Sequence, residues 1–423
     1  MFKAEQTKAV KLPVDNLDFG MYVSKLDRPW LQSPFLIQGF YIRDESELRK
    51  LQEICDYVWV DTSTIPAGFI QTIPSPVPHA EASDEVQIAR QGGSVPGREK
   101  SERYAIEQTL ENELPKAAAS MGYFSQMVTE TFDSLVDGKN LDLGKIRKAT
   151  RPMIDSMIAN PDAMIWLARM KSRNDYVFKH ALCVSVWVVA LGRQLGLPKQ
   201  ELTDLSIAGL LSDIGKLWVD DAILNKSASL TREEREAAHE HVSLGLSALD
   251  KASAGSIPRN IREAILSHHE RHGGQGYPSQ LTGNSIPLYA RIVGIADFYD
   301  AVTSKRVYAE AISSGEALKQ LYASRNIEFQ AELIEEFIQA IGIYPAGSVV
   351  ELSDNSTAIV VAAGRAHRLR PRVIIVFDAD GHRNRNPVIV DLAKPREDGE
   401  SNLEIIKSIP ANNQQYDFDD FYI

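Results

Sequence analysis

Apolar positions follow three different rhythms along the chain. Near the start they come in short β-branched and aromatic runs. Leu17 to Val23 predicts a turn leading into a strand, and Phe35 to Ile42 a second strand. Ser46 to Cys55 predicts a short helix, and Tyr57 to Asp61 a third strand. From about Tyr104 to Ile343 the rhythm becomes helical. Met153 to Ala159, Val177 to Leu195, Leu202 to Leu211, Arg232 to Leu249, Ile261 to His268 and Ile286 to Val302 all repeat at i, i+3, i+4. Gly196 and Pro198 close one of these helices, and Thr231, three residues before Glu234, caps another. After Tyr344–Gly347 the runs are β-branched again: 348–352, 357–362, 372–377 and 388–392 predict short strands.

These rhythms predict a small α+β unit over 1–65, a linker over 66–103, a helical domain over 104–345, and a strand-rich extension with an acidic tail over 346–423. The linker follows from Pro66, Pro74, Pro76, Pro78 and Pro96 set among Ser, Ala, Gly and charged residues, a composition that buries little apolar surface. A chain of 423 residues has room for two or three domains at about 100–200 residues each. Hydrophobic content of 44% and charged content of 24% are those of an ordinary globular protein.

The net charge of −11 excludes a general basic field for nucleic acid polymers, so an anionic ligand needs local Lys or Arg, helix N-termini or metal. Cys55 and Cys183 are far apart and form no CxxC, which argues against a disulfide framework or zinc finger. The N-terminus lacks a basic start followed by an apolar stretch. No apolar run reaches the roughly 18 residues needed to span a bilayer. The expected location is cytoplasmic.

Candidate chemistry centres on histidine. Five of the nine histidines lie between His239 and His272, in the company of Asp213, Asp297 and Asp300. Imidazoles mixed with a few carboxylates suit Fe, Mn, Ni or Zn better than Ca or Mg. His268 and His269 are adjacent, and helix neighbours do not share a face. Both rings reach one cleft only where a helix is ending, and Gly273, Gly274 and Gly276 supply that break. Asp297 and Asp300 share a helix face, as do Asp213 and Lys216. Taken singly, each has an ordinary reading: a core histidine at His180, a surface ion pair at Asp213–Lys216, capping roles for Asp297 and Asp300. His239, His272, His367 and His382 keep that ordinary reading. The others are set apart by their joint order.

The run His268-His269-Glu270-Arg271-His272-Gly273-Gly274-Gln275-Gly276-Tyr277-Pro278 resembles HHExxDGxGYP, the signature of the HD-GYP phosphohydrolases. Leu211-Ser212-Asp213-Ile214-Gly215-Lys216 stands in the place of the family's HDIGK. His241-Val242-Ser243-Leu244-Gly245 resembles HxxxG, and Ala296–Ala301 resembles DxYDA. His180 sits where the family's first helix donates a ligand. The resemblance covers about Asn174 to Pro345. The opening residues, with Gly20-Met21-Tyr22-Val23 and Leu26–Trp30, resemble an uncharacterised domain that often precedes HD-GYP domains.

The resemblance implies a mainly α fold with a helical HD-type metal-dependent phosphohydrolase domain, flanked by the small α+β unit and the strand-rich extension. It implies a phosphodiesterase opening cyclic di-GMP to linear pGpG, with GMP as a further product, in bacterial signalling; diguanylate cyclases are the signalling partners it brings to mind. Metal ligands would be His180, Asp213, His241, His268, His269 and Asp297, holding one or two divalent ions, Fe or Mn. Asp213 and Lys216 would be catalytic, and Lys216, Arg271, Tyr277 and Arg306 would face the nucleotide. A two-metal site would activate water and clamp the attacking and leaving oxygens.

The sequence departs from the pattern in four places. Ser212 replaces the histidine of the HD pair, so one metal position loses a nitrogen ligand. Tyr176 stands where some relatives place a glutamate for a third metal, so no third metal is expected. Gly273 replaces an aspartate, and Asn225-Lys226-Ser227-Ala228 lacks the usual Pro-Gly. The alternative that follows is a degenerate member, a cyclic di-GMP receptor or protein-interaction module that does not cut. Metal identity, product, oligomeric state and the role of the opening unit stay open.

Overall fold

Alternating apolar positions near the N-terminus build an antiparallel sheet. Its elements are β1 (Ala9–Pro13), β2 (Tyr22–Leu26), β3 (Phe40–Tyr41), α1 (Glu45–Ile54) and β4 (Tyr57–Asp61), with strand order β1-β4-β2-β3. Val23, Leu26, Leu51, Val58 and Val60 form the apolar centre. The unexpected strand is β1, which pairs along β4 from Ala9↔Asp61 to Pro13↔Tyr57. It is an edge strand with almost no buried residue, so it lacks the alternation by which strands are read. The computed structural model describes residues 9–28, 33, 35, 40–42, 45–61, 104–170, 176–306, 309–364, 367–395 and 402–410. The expected linker, the acidic tail, residues 36–39 of the expected 35–42 strand and the side chain of Tyr176 lie outside them.

The second unit is helical. Its helices are α2 (Leu110–Val136), α3 (Leu143–Ala159), α4 (Pro161–Met170), α5 (Tyr176–Gln194), α6 (Lys199–Leu211), α7 (Asp221–Leu224), α8 (Arg232–His239), α9 (His241–Ala252), α10 (Arg259–Ser267), α11 (Leu288–Thr303), α12 (Ser314–Ala323) and α13 (Ala331–Ile341). Nearly every described side chain of α5 and α6 is buried, the mark of helices enclosed on all sides. α5 packs against α4, α6, α11 and α13. Trp187 on α5 meets Tyr299 and Phe337 edge to face, at centroid distances of 5.1 and 6.4 Å. α3 holds Pro152 in its interior, and its buried face begins at Ile146, ahead of the expected start at Met153.

One expected helix is two. The run Arg232 to Leu249 breaks at Glu240, between α8 and α9. The Nδ1 of His241 donates to the Ala238 carbonyl at 2.6 Å, so a side chain takes an acceptor at the junction. α8 begins as expected with a capping box between Thr231 and Glu234.

The chain ends its described course in a five-stranded antiparallel sheet: β5 (Val349–Leu352), β6 (Thr357–Ala362), β7 (Arg372–Phe377), β8 (Arg383–Asp391) and β9 (Ile405–Ile409), ordered β8-β7-β6-β5-β9. β8 starts earlier than expected, and β9 is an additional edge strand. Val350, Leu352, Ala358, Val360, Val373, Leu392 and Leu403 form its core. The Asp162 carboxylate on α4 accepts from the Ala363 N–H at 3.2 Å, and Arg372 pairs with Glu111 on α2 at 2.6 Å.

A contact between two glycines positions the helical site. α6 is followed by a 3-10 turn (Ile214–Trp218) that packs on α9. A Cβ on Gly215 would stand 1.7 Å from the His241 carbonyl oxygen, and one on Gly245 would stand 3.0 Å from the Gly215 nitrogen. Only bare backbone permits this approach. Gly215→Ala is expected to destabilise the metal-free protein by about 3 kcal/mol, at the upper end of overpacking costs. Urea denaturation measures this, and an unchanged midpoint would count against so close an approach.

Candidate metal centre

Six side chains converge from five places in the fold. His180 comes from the first turns of α5, Asp213 from the N-cap of the 3-10 turn, and His241 from the start of α9. His268 and His269 come from the end of α10, and Asp297 from the middle of α11. α10 stops at Ser267, with His268 as its C-cap, so the helix ends before the histidine pair rather than at the glycines. The chain then folds back on itself. A Cβ on Gly276 would lie within 2.6 Å of the Glu270 Cα, the Arg271 nitrogen and the His269 carbonyl. The buried Glu270 carboxylate accepts from the N–H groups of Ser279 (2.7 Å) and Leu281 (2.9 Å) and fixes the returning loop.

Asp213 is the centre of the arrangement. Its Oδ1 lies 3.2 Å from His241 Nε2, 3.6 Å from His268 Nε2 and 4.0 Å from His269 Nε2. Its Oδ2 lies 3.2 Å from His180 Nε2 and makes a close ion pair with the Lys216 ammonium. His180 Nε2 is also 3.0 Å from Asp297 Oδ1. Two candidate ligand groups result: Asp213, His241, His268 and His269 on one side, and His180, Asp213 and Asp297 on the other.

The donors fit a transition-metal ion. Asp213 Oδ1 and His268 Nε2 are buried without a hydrogen-bond partner, a costly state that coordination relieves. Metal–nitrogen bonds of about 2.0–2.1 Å imply ligand–ligand separations of roughly 3.0–3.4 Å. The separations from His241 Nε2 to Asp213 Oδ1 and to His269 Nε2 are both 3.2 Å.

The outer contacts set which nitrogen faces inward. His241 donates from Nδ1 to the Ala238 carbonyl, and His268 from Nδ1 to the Ile265 carbonyl at 2.8 Å. His180 donates from Nδ1 to Asp300 Oδ2 at 2.7 Å, and Trp187 Nε1 donates to Asp300 Oδ1 at 3.2 Å. In the neutral tautomer that metal binding requires, each arrangement leaves Nε2 with a lone pair aimed into the cluster; without metal, His180 Nε2 is placed to donate to Asp297 Oδ1 at 3.0 Å. The orienting role of Asp300 was not readable from its sequence place; the only signal was its shared face with Asp297.

Ser212 points elsewhere. It is buried, and its hydroxyl donates to the Gly209 carbonyl at 3.0 Å, as helix serines often do. Arg271 donates to the carbonyls of His268 and Glu270 at 3.2 Å, stands 3.7 Å from Glu328, and lies over the Phe329 ring. Tyr277 stacks with both His269 and His239. Arg306 lies beyond the end of α11, its N–H donating to the Ala309 carbonyl at 2.9 Å. Gly273 donates to the Ile327 carbonyl at 2.8 Å; a Cβ there would be 3.0 Å from that oxygen.

Burial alone would raise the Asp213 carboxyl, but the Lys216 ammonium and the surrounding imidazoles hold it well below the usual range. Asp297 is likewise opposed by burial and held low by its hydrogen bond from His180. Burial, then the neighbouring His268, pushes His269 well below the ordinary histidine value. Burial and then the Asp213 and Asp297 carboxylates push the Tyr277 phenol up, so its hydroxyl stays protonated.

The chain matches three family descriptions: "Domain of unknown function (DUF3391)" over residues 9–146, "HD domain" over 160–333 and "KOW domain associated with HD domain" over 349–413. It is 30% identical over 390 residues to the cyclic di-GMP phosphodiesterase PA4108 of Pseudomonas aeruginosa, covering 91% of this chain and 89% of that one. It is 38% identical over 152 residues to the cyclic di-GMP phosphodiesterase response regulator RpfG of Xanthomonas campestris, covering 35% of this chain and 39% of that one. It is 27% identical over 217 residues to the 3'3'-cGAMP-specific phosphodiesterase 2 of Vibrio cholerae, covering 51% and 41%. A solved structure, Bd1817, a HDG"Y"P protein from Bdellovibrio bacteriovorus, aligns over 78% of this chain and 98% of its own with a TM-score of 0.42 and 14% identity. No helix among the described residues is long and apolar enough to cross a membrane.

Two outcomes are expected of the site. Asp300→Asn should weaken metal binding by about 10–100-fold, the usual effect of removing a carboxylate behind a ligating histidine, as measured by metal titration. In metal-free protein, His269 has a folded pKa below its unfolded value, so its contribution is complete above about pH 6.5 and is lost as pH falls. The depressed carboxyls of Asp213 and Asp297 lose theirs below about pH 4 in the same direction. Denaturation midpoints should therefore fall from pH 7 to pH 5, and less so in His269→Gln.

Proposed function

This chain belongs to the HD-GYP family, and from that membership we propose that it is a metal-dependent phosphodiesterase that hydrolyses cyclic di-GMP to linear pGpG, with GMP as a further product. The observation that carries the chemistry is the buried cluster of four imidazoles and two carboxylates around Asp213. The substrate comes from the Pseudomonas relative, whose similarity runs through all three regions of the chain.

His241, His268, His269 and Asp213 would hold one divalent ion, and His180, Asp213 and Asp297 a second, with Fe or Mn as the preferred metals. Bound there, the metal supplies Lewis acidity and an activated water for attack on phosphorus. The chain's own residues do the rest. Low carboxyl pKa values keep Asp213 and Asp297 as ligands rather than acids. The Lys216 ammonium stands at the same carboxylate and would neutralise a phosphate oxygen there. Tyr277 keeps its proton and offers a hydroxyl donor. Arg271 holds the loop through its carbonyl contacts and would offer its remaining donors to a phosphate, with Arg306 as a further substrate-facing cation.

A second reading has one observation in its favour. Ser212, in place of a histidine, spends its hydroxyl on Gly209 and gives nothing to the second ligand group. A member so altered would bind cyclic di-GMP, or a signalling partner such as a diguanylate cyclase, without cutting.

Anaerobically purified protein loaded with Fe or Mn is expected to convert cyclic di-GMP to pGpG, and to do so at least as fast as it cuts 3'3'-cGAMP. Chromatography of the products decides this. Ser212→His is the comparison: if the wild type is inert and the variant cuts, the receptor reading replaces the enzyme. If both cut equally, the receptor reading loses its basis.

A further inference from the structure

Three of the four histidines are fixed from behind by hydrogen bonds, and one is not. His180, His241 and His268 each tie Nδ1 to a carboxylate or carbonyl at 2.6–2.8 Å. His269 has no such partner among the described residues. Its Nδ1 is 3.9 Å from Asp297 Oδ2, beyond hydrogen-bond range, and its Nε2 faces His241 Nε2 within the ligand group. Something else must hold the ring, because an imidazole free to turn about its side-chain bonds is a poor ligand.

That something is a stack. The Tyr277 ring lies 4.7 Å from His269 with 26° between planes, and 3.7 Å from His239 with 10° between planes. At those separations two imidazoles cannot lie side by side on one face of a phenol without overlapping. His269 and His239 therefore cover opposite faces of Tyr277. His269 is nearly enclosed, whereas His239 is partly exposed at the end of α8. The order from inside outward is ligand, phenol, outer imidazole. His239 closes the stack, and without it Tyr277 has one bare face and can swing away from His269.

We propose that His239 is a positioning residue for the metal centre: it clamps Tyr277 against His269, and the stack takes the place of the missing hydrogen bond behind that ligand. The inference rests on the reading of His269 as a metal ligand. It makes use of the ring of His239 and none of its protons. An aromatic ring of another kind should therefore serve as well. Because both faces of Tyr277 are covered, only its edge and hydroxyl are left for substrate. The break at Glu240 matters here as well, since it lets His239 turn toward Tyr277 while His241, two residues on, turns toward Asp213.

The test uses the full chain loaded with Co(II), whose visible absorption reports ligand geometry, in wild type, His239→Ala and His239→Phe. His239→Ala should bind Co(II) about three- to tenfold more weakly, in keeping with the loss of one aromatic pair, and its visible bands should shift. His239→Phe should restore both affinity and spectrum. With cyclic di-GMP as substrate, His239→Ala should lower kcat more than it raises KM, and His239→Phe should again recover. An alanine variant with unchanged affinity and spectrum would overturn the proposal. So would a phenylalanine variant as impaired as alanine, since that would point to the imidazole itself. If the wild type fails to cut any cyclic dinucleotide, the proposed activity is lost, yet the Co(II) comparison still decides the role of His239.

Discussion

The structure depends on one buried carboxylate. Asp213 is almost wholly enclosed, and burying an isolated charge there would be prohibitive. It is tolerated because four imidazoles, Lys216 and the room for metal surround it from separate helices. Apolar packing brings those helices together, and each carries a partner for that charge to the meeting point. The bare backbones of Gly215 and Gly245 let the turn bearing Asp213 press onto the helix bearing His241. The enclosed α5 and α11 bring His180 and Asp297 from the other side.

The two sides are not equally well built. On the His241–His268–His269 side the ligands come from short elements that fold back on one another. On the His180–Asp297 side they come from long core helices, with Asp300 and Trp187 as backing. Ser212 sits at the seam and faces away from both. The protein thus keeps one group of four candidate ligands and one of three, with Asp213 belonging to both.

Much of this was legible in the sequence. Helical rhythm located α5, α6, α10 and α11, and the order of the histidines and aspartates picked out every member of the cluster. The rest was hidden for physical reasons. Periodicity tells which face a residue is on but not which neighbour it meets, so Asp300 read as a cap and His239 as an ordinary core or boundary histidine. A hydrogen bond from a ring nitrogen to a carbonyl one turn back leaves no mark on composition, so the break at Glu240 read as continuous helix. Edge strands β1 and β9 carry too little alternation to stand out. The direction of the Ser212 hydroxyl depends on a helix carbonyl that no pattern of residue types reveals.

The strand-rich end of the chain is more than an appendage. Gly347 lies so close to Arg169 on α4 that a Cβ there would be 3.0 Å from its side chain, and Arg169 in turn donates to the Tyr299 hydroxyl at 3.3 Å. Ser348 on the same approach hydrogen-bonds Ser314 at the start of α12. A chain shortened to end before Gly347 would lose this backing, uncover the sides of α4 and α12 that pack on β6 and β9, and loosen the ring that sits beside Asp300. The smallest piece of this protein able to keep the Asp213 cluster in order therefore extends through the sheet, well past Asp297.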